Sequence, residues 1–191
     1  HSATDTFGNF KPYFELINGT FAGHPWGSGT KVTITNHEPT HPIVAMWEPE
    51  FQFVDEIYQY KNYDPTSVRV LLSLNMAKCT PKMPYMVPVS WVREVGQGRL
   101  FYTNLGHNEK TWTDPNFEKH MLTGFRWVFK LENGSATPNP ELQEEENLKG
   151  ALAVLEDMRP SLKNVLPDAD ALLAKAEKLA KEDKAAFKAL M

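Results

Sequence analysis

The chain changes composition near residue 132, and this change constrains the fold more than any other feature. Residues 1 to 132 are rich in aromatic residues, glycine and proline, whereas residues 140 to 191 consist largely of Ala, Leu, Glu and Lys. The intervening segment, 133–139, has the Gly, Ser, Pro and Asn content of a linker. We therefore predict a strand-containing domain at 1–132, a linker at 133–139 and a helical hairpin at 140–191.

The bulk composition excludes several classes of protein. The chain has 191 residues, of which 41% are hydrophobic, which is enough for one domain and an appendage. The net charge of −4 gives no basic surface for nucleic acid, and no apolar run approaches the roughly 20 residues of a membrane span. We expect no nucleic-acid or membrane partner. The absence of a signal peptide leaves periplasmic, secreted and cytoplasmic locations open, because the chain begins at His1 without a methionine.

The one cysteine, Cys79, cannot form an intrachain disulfide. It lies in the loop-like run Lys-Cys-Thr-Pro-Lys. A nucleophilic thiol needs a neighbour that stabilises the thiolate. We therefore expect Cys79 to be inert.

Alternating and apolar runs predict the strands of the first region. A Gly-Gln-Gly turn at 96–98 joins the last two strands into a hairpin. A short helix is predicted to end at Asn18-Gly19, and a longer one, 116–129, to begin behind an Asp114 cap with Pro115 just inside. The predicted strands are Lys31–Thr35, Glu50–Val54, Val68–Leu74, Val87–Glu94 and Arg99–Asn104.

Apolar stripes indicate which helix faces are buried. In the first tail helix, Asn139-Pro140 is expected to form the start and Arg159-Pro160 the end. The second is expected to start at Asp168 or Asp170. The predicted stripes are Phe117, Met121, Leu122, Phe125 and Val128 in helix 116–129; Leu148, Leu152, Leu155 and Met158 in the first tail helix; and Leu172, Ala176, Leu179, Ala186 and Leu190 in the second.

Three histidines lie in glycine-rich or turn-rich settings, namely His1, His24 and His107. Glycine directly precedes His24 and His107, and its conformational freedom lets the backbone aim the following ring at a pocket. The strand that begins at Gly98 leads into His107, and polar residues just beyond a strand end are typical of ligand sites in open α/β sheets. His37 and His41 lie in a proline-rich loop, and we interpret both as structural.

An acidic pair, Asp55-Glu56, interrupts an otherwise apolar strand. A buried carboxylate needs a cation, a ligand or a donor cluster, and adjacent strand residues point to opposite faces unless the strand has ended. Histidine and carboxylate together allow three interpretations: acid–base catalysis on a sugar or carbonyl, a divalent metal site, or a sugar-binding surface. For the last of these, the stacking aromatic residues would be Trp26, Tyr58 and Trp112.

Seven ordered segments together resemble the ThuA-like (trehalose utilisation) family over residues 1 to about 130. They are His-Ser-Ala-Thr-Asp-Thr-Phe at 1–7, Phe-Ala-Gly-His-Pro at 21–25, His-Pro-Ile at 41–43, Phe-Val-Asp-Glu-Ile-Tyr at 53–58, Pro-Val-Ser-Trp at 88–91, Gly-Arg-Leu-Phe-Tyr-Thr-Asn-Leu-Gly-His at 98–107 and Trp-Thr-Asp-Pro at 112–115. The resemblance implies an α/β, flavodoxin-like three-layer sandwich of the class I glutamine amidotransferase-like type.

The chain departs from that family pattern at its start. The family domain normally begins with several βα units before the segment that contains His1, so the sandwich is expected to lack its N-terminal half. A missing N-terminal segment or a partner chain would then complete it. A homo-oligomer is a separate option. Ser2 or Thr4 stands where the amidotransferase nucleophile would lie, which argues against glutamine hydrolysis.

The resemblance also implies a role in carbohydrate metabolism, on small carbohydrates such as 3-keto glucosides or disaccharides. We expect proton abstraction next to the carbonyl and C–O cleavage, by His/Glu acid–base or metal-assisted chemistry with a possible divalent cation. The alternative is a non-catalytic sugar-binding or assembly module. The implied catalytic residues are His107, His24 and Glu56; the implied substrate-binding residues are His1, Asp55, Tyr58 and Trp112; and the candidate metal ligands are His1, His24 and His107.

Overall fold

The computed structural model describes residues 1–183. Those residues form a mixed α/β structure, with short 3₁₀ turns at Ser2–Asp5, Pro65–Ser67 and Glu109–Thr113. The strands are β1 (Thr20–Trp26), β2 (Lys31–Asn36), β3 (Glu50–Val54), β4 (Ile57–Lys61), β5 (Arg69–Leu74), β6 (Pro88–Val95) and β7 (Gly98–Thr103). The helices are α1 (Lys11–Ile17), α2 (Pro115–Val128), α3 (Pro140–Lys163) and α4 (Ala169–Glu182).

The main sheet has five strands in the order β3-β2-β5-β6-β7, and β1 and β4 form a separate two-stranded sheet. Each pairing recorded in the described residues is antiparallel. The predicted hairpin is confirmed, since Val95 pairs with Gly98 across a two-residue turn, a connection that only antiparallel strands can use. The strand pairing does not show the flavodoxin-like arrangement, which stays a prediction.

Both faces of the main sheet are covered, and strand alternation divides the core between them. On one face, Phe101 of β7 packs with a large cluster that includes Trp26 and Trp127. On the other face, Tyr102 packs with Trp91 in a second cluster. Helix α2 lies on the first face.

Two predicted helix boundaries are confirmed, and both follow from local chemistry. Asn18 ends α1 in the left-handed conformation, with φ 65° and ψ 57°. The Asp114 side chain accepts hydrogen bonds from the backbone N–H groups of Asn116 and Phe117, both at 2.9 Å, at the start of α2.

The predicted buried stripe of α2 is only partly correct. Leu122 and Phe125 are 61% and 55% exposed. Phe117 is buried as predicted, and Met121 and Val128 pack against the core, but the other buried residues are His120, Gly124 and Trp127. A side chain at Gly124 would meet the ring of Phe101 at 2.3 Å, so β7 approaches the helix at its smallest residue. The hydrophobicity pattern could not show this, because glycine and histidine do not count as apolar.

The two tail helices also differ in detail from the prediction. Helix α3 continues through Pro160 to Lys163. Asn139 precedes α3, but its side chain does not cap the helix and instead bonds both the N–H and the C=O of Val70 in β5. In α4, the predicted stripe residues Ala176 and Leu179 pack against α3, but Leu172 is exposed and Leu173 is buried in its place. The predicted stripe residues Ala186 and Leu190 lie outside the described residues.

The segment with linker composition, 133–139, is bonded to the sheet domain along its length. Trp127 Nε1 donates to the carbonyl of Gly134 at 3.1 Å, and Arg69 Nη1 donates to the carbonyl of Thr137 at 3.0 Å. Together with the bonds from Asn139, these contacts hold the segment against the domain. Composition could not show these contacts, because main-chain carbonyls that accept hydrogen bonds leave no trace in sequence.

Cys79 lies buried in the core of the main sheet. Its thiol donates to the carbonyl of Thr33 at 3.4 Å. Burial raises the pKa of the Cys79 thiol, which keeps it protonated and supports the prediction of an inert residue.

Candidate functional site

Three histidines converge on the carboxylate of Glu56. His1 Nε2 and His107 Nδ1 each lie 3.3 Å from Oε1, and His24 Nδ1 lies 3.6 Å from Oε2. The Glu56 side chain is 13% exposed and that of His1 is 4% exposed, whereas His24 and His107 are 55% and 41% exposed. The cluster therefore has an inner carboxylate and imidazole, with two outer imidazoles that solvent can reach.

The histidines that follow glycines owe their position to those glycines. Gly23 and Gly106 have φ values of 137° and 112°, which L side chains rarely adopt. Gly23 places His24 within β1, and Gly106 turns the chain after β7 so that His107 meets Glu56. This confirms the expectation that glycine before histidine indicates an unusual backbone angle.

Asp55 and Glu56 lie in the connection between β3 and β4, so the strand has ended and the alternation rule no longer applies. The fully buried Asp55 carboxylate accepts from the N–H groups of Gly106 and Asn108 at 2.7 and 3.0 Å and from Thr111 Oγ1 at 3.0 Å. Its oxygens hold the loop that carries His107. The structure thus places Asp55 behind the cluster, where it organises the loop.

His1 is fixed from its other side by the end of β7. Its Nδ1 lies 2.5 Å from the backbone carbonyl of Asn104, so this nitrogen carries a proton and donates it. Its ring also packs against Tyr58, with the centroids 4.1 Å apart. The remaining nitrogen, Nε2, therefore faces Glu56.

Asn104 is a residue of this site that the sequence analysis missed. Its buried side chain bonds both the N–H and the C=O of Tyr58 in β4, each at 3.2 Å. It thus joins the end of β7 to the two-stranded sheet and sets the carbonyl that holds His1. The available signal was an asparagine at a predicted strand end, which is too common to single out.

The three aromatic residues predicted to bind sugar have different environments. Tyr58 is buried beside His1, and desolvation and the nearby Glu56 raise the pKa of its hydroxyl. Trp112 is 55% exposed, and its Nε1 donates to the carbonyl of Gly106. Trp26 is fully buried in the core, with Nε1 bonded to the carbonyl of Pro81, so it cannot stack on a sugar.

The remaining histidines have contacts elsewhere. His37 Nε2 lies 2.8 Å from Ser73 Oγ, and His41 Nδ1 accepts from the N–H of Ile43 at 3.4 Å. Burial lowers the pKa of both. His120, which the sequence analysis did not single out, is fully buried, and burial lowers its pKa to about 4.

The inner part of the cluster has the geometry of a possible metal centre. One ligand atom each from His1, Glu56 and His107 lies within 4.8 Å of the other two. His24 approaches only the second oxygen of Glu56 and is not part of this group. The arrangement can therefore do two kinds of chemistry: proton exchange at the exposed imidazoles, and cation binding at the three inner ligand atoms.

The structure so far defines an α/β protein with a histidine–carboxylate site between strand ends. The sequence model of the ThuA family, described as trehalose utilisation, matches residues 1–128. The chain belongs to this family. Among the described residues, no helix is both long enough and apolar enough to cross a membrane.

Two solved structures share the fold. A ThuA-like protein from Bacteroides uniformis matches with a TM-score of 0.54 at 20% identity, covering 72% of this chain and 57% of its own. A ThuA-like protein from Parabacteroides merdae matches with a TM-score of 0.51 at 15% identity, covering 73% of this chain and 62% of its own. The chain thus spans less than two thirds of either neighbour. No curated protein matches the sequence.

Proposed function

We infer that this protein is an enzyme that breaks down oxidised glucosides, with a 3-keto disaccharide such as 3-ketotrehalose as substrate. The convergence of His1, His24 and His107 on one carboxylate is the observation that carries this conclusion. Two further observations support this conclusion. Its outer imidazoles are open to a ligand, and the trehalose-utilisation family supplies the substrate class.

His24 is the residue best placed to exchange protons. Its ring is more than half exposed, and its Nδ1 faces Glu56 Oε2. A carboxylate beside one imidazole nitrogen orients the ring and leaves the other nitrogen directed at the substrate side, as in other His–carboxylate pairs. The inner group of His1, Glu56 and His107 lies beside it, where it could polarise a sugar oxygen.

The reaction that fits these groups is an elimination. His24 removes the proton from C2, next to the C3 carbonyl, and the electron pair moves onto the carbonyl oxygen as an enolate. When the carbonyl re-forms, a C1–C2 double bond appears, the C1–O bond breaks and the leaving oxygen takes the proton from the His24 imidazolium. The products are an unsaturated keto-sugar and a free alcohol, and no oxidant or water is consumed.

Release of glucose from 3-ketotrehalose tests this function. We expect the protein to release glucose from 3-ketotrehalose and not from trehalose, which has no carbonyl to acidify C2. The His24→Ala and His107→Ala variants should each lose at least about 100-fold in kcat/KM. His37→Ala, a histidine bonded to Ser73, is the matched control and should retain the rate of the unmodified protein.

The opposite results are equally informative. Equal rates for His24→Ala and the unmodified protein would remove His24 from the mechanism. Binding of the sugar without any turnover would favour a non-catalytic binding module, which the exposed ring of Trp112 beside the site would suit.

A further inference from the structure

We propose that His1 Nε2, Glu56 Oε1 and His107 Nδ1 form a site for one divalent transition-metal ion. The proposal deepens the proposed function, because the ion would lie at the same cluster and polarise the substrate oxygen there, but cation binding can be tested without turnover. His24 is not a ligand in this proposal and remains available for proton exchange.

The two nitrogen–oxygen separations match those around a metal, and the third pair of ligand atoms lies within 4.8 Å. Two ligands at about 2.1 Å from a tetrahedral zinc ion are about 3.4 Å apart. His1 Nε2 and His107 Nδ1 each lie 3.3 Å from Glu56 Oε1. This separation is longer than the roughly 2.7–2.9 Å of a usual charge-assisted hydrogen bond.

The protonation of His1 favours the same conclusion. Its Nδ1 donates to the carbonyl of Asn104, so in a neutral ring Nε2 carries a lone pair. A lone pair that faces a carboxylate oxygen is repulsive, so either a proton or a metal ion must lie between the two atoms. A histidine that donates its second nitrogen to a backbone carbonyl is the usual support of a metal ligand.

Neighbouring residues hold His1 and His107 in place, and one side of the cluster is open to solvent. Asp55 holds the loop that carries His107, and Tyr58 packs against the ring of His1. His107 is 41% exposed, so the cluster is accessible to solvent and substrate. Three protein ligands with an open side are typical of a catalytic rather than a structural metal centre.

The ligand types define the class of cation. Two imidazole nitrogens and one carboxylate oxygen suit Zn²⁺, Fe²⁺, Mn²⁺, Co²⁺ or Ni²⁺, whereas Ca²⁺ and Mg²⁺ prefer oxygen ligands alone. We therefore expect the site to bind Zn²⁺ and Co²⁺ in a 1:1 ratio and Mg²⁺ at least about 100-fold more weakly.

The test uses the untagged protein, stripped with chelator and titrated with ZnCl₂ or CoCl₂ by calorimetry. We expect one site per chain, a visible Co²⁺ absorption band and a rise in Tm on addition of Zn²⁺. Glu56→Gln and His107→Ala should each weaken binding at least about 10-fold and lose the Co²⁺ band. Two matched controls, His24→Ala and Glu48→Gln, should retain both; Glu48 is an exposed glutamate of the loop before β3.

Absence of 1:1 binding would overturn the proposal, as would undiminished binding in folded Glu56→Gln and His107→Ala variants, with folding checked by circular dichroism. Glucose release that persists in chelator-treated protein would also overturn the cation's part in catalysis and leave the proposed enzyme function intact. Conversely, 1:1 binding without turnover would support the site and contradict the proposed function.

Discussion

The sheet region and the two tail helices are stabilised in different ways. In the sheet region, several large side chains, such as Trp26, Trp91 and Trp127, are fully buried. Where α3 meets α4, the buried residues are the small Ala151 and Ala180 with partly buried leucines around them. Burial of apolar area scales with side-chain size, so the sheet region should have most of the folding free energy.

The contact between the two tail helices includes ion pairs in addition to small apolar side chains. Arg159 of α3 forms ion pairs with Glu156 of its own helix and with Asp170 and Glu177 of α4. These are surface pairs, and each contributes little to stability. Helix α3 also contacts the sheet domain directly, where Asn147 accepts from the N–H of Met86 and Gly150 lies against the carbonyl of Met83. The comparison predicts a stable sheet domain with α3 attached and α4 held more weakly.

The largest effect is expected from Trp127→Ala. This change empties a fully buried position on the inner face of α2 and removes the donor to Gly134, so we expect a loss of about 3–5 kcal/mol in the free energy of unfolding, measured with urea. Leu173→Ala, at a buried position of α4, is the matched change in the tail. A loss from Leu173→Ala as large as that from Trp127→Ala would contradict the comparison.

His120, which is buried in the sheet region, should make the free energy of unfolding depend on pH. Its pKa is about 4 in the fold, against about 6.5 in an unfolded chain, so the unfolded state binds a proton first as the pH falls. Stability is full above about pH 6.5 and is lost as the pH falls towards 4, by roughly 2–3 kcal/mol at about pH 4.5.

Urea unfolding at about pH 7.5 and about pH 4.5 measures this loss. His120→Asn keeps a donor for the carbonyl of Ile43 but cannot titrate, so its stability should change less between the two pH values than that of the unmodified protein. Comparing the change in the free energy of unfolding between the two pH values removes any destabilisation by the substitution that is the same at both. An equal change in the variant and the unmodified protein would show that His120 does not cause the loss of stability at low pH.

Asp55→Asn should affect the site more than the fold. An amide presents NH₂ in place of one carboxylate oxygen, so part of the set formed by Gly106, Asn108 and Thr111 loses its acceptor. We expect a loss of about 1–3 kcal/mol and at least about a 10-fold weaker affinity for Co²⁺, because the loop no longer holds His107.

The matched control is Asp64→Asn. Asp64 accepts from the N–H and the hydroxyl of Thr66 in an exposed turn, away from the cluster. The Asp64→Asn variant should lose some stability and retain the Co²⁺ affinity of the unmodified protein. If both variants weaken Co²⁺ binding equally, Asp55 has no special role in positioning His107.

The smallest effect is expected from removal of α4 by termination after Leu166. The truncation removes the buried residues Ala169, Leu173 and Ala180, and none of the residues around Glu56 lies in that segment. We expect the Co²⁺ affinity to remain within about twofold and the Tm of the sheet domain to change by a few degrees. A large fall in cation affinity would show that the tail helices support the site.

Sequence predicted the features that depend on local chemistry. The left-handed end of α1 at Asn18, the Asp114 cap and the glycines before His24 and His107 each follow from the preferences of one or two residues. The choice of Glu56 as the carboxylate partner of these histidines also agrees with the geometry, although its catalytic role stays a prediction.

The features that sequence could not predict depend on tertiary contacts. Phe101 approaches α2 at Gly124, which shifts the buried face of that helix away from Leu122. Asn139 bonds the backbone of β5 through its side chain instead of capping the helix that it precedes. Asn104 holds both β4 and His1, two partners distant in sequence, and no local pattern marks such a residue.

The single buried thiol gives the molecule an internal reporter. Cys79 lies within the core that the first face of the main sheet shares with α2, and a thiol reagent can reach it only when that core opens. With no second cysteine in the chain, each labelling event reports the same opening. The rate of modification, with and without a bound cation or sugar, would therefore measure how strongly the site and the core are coupled.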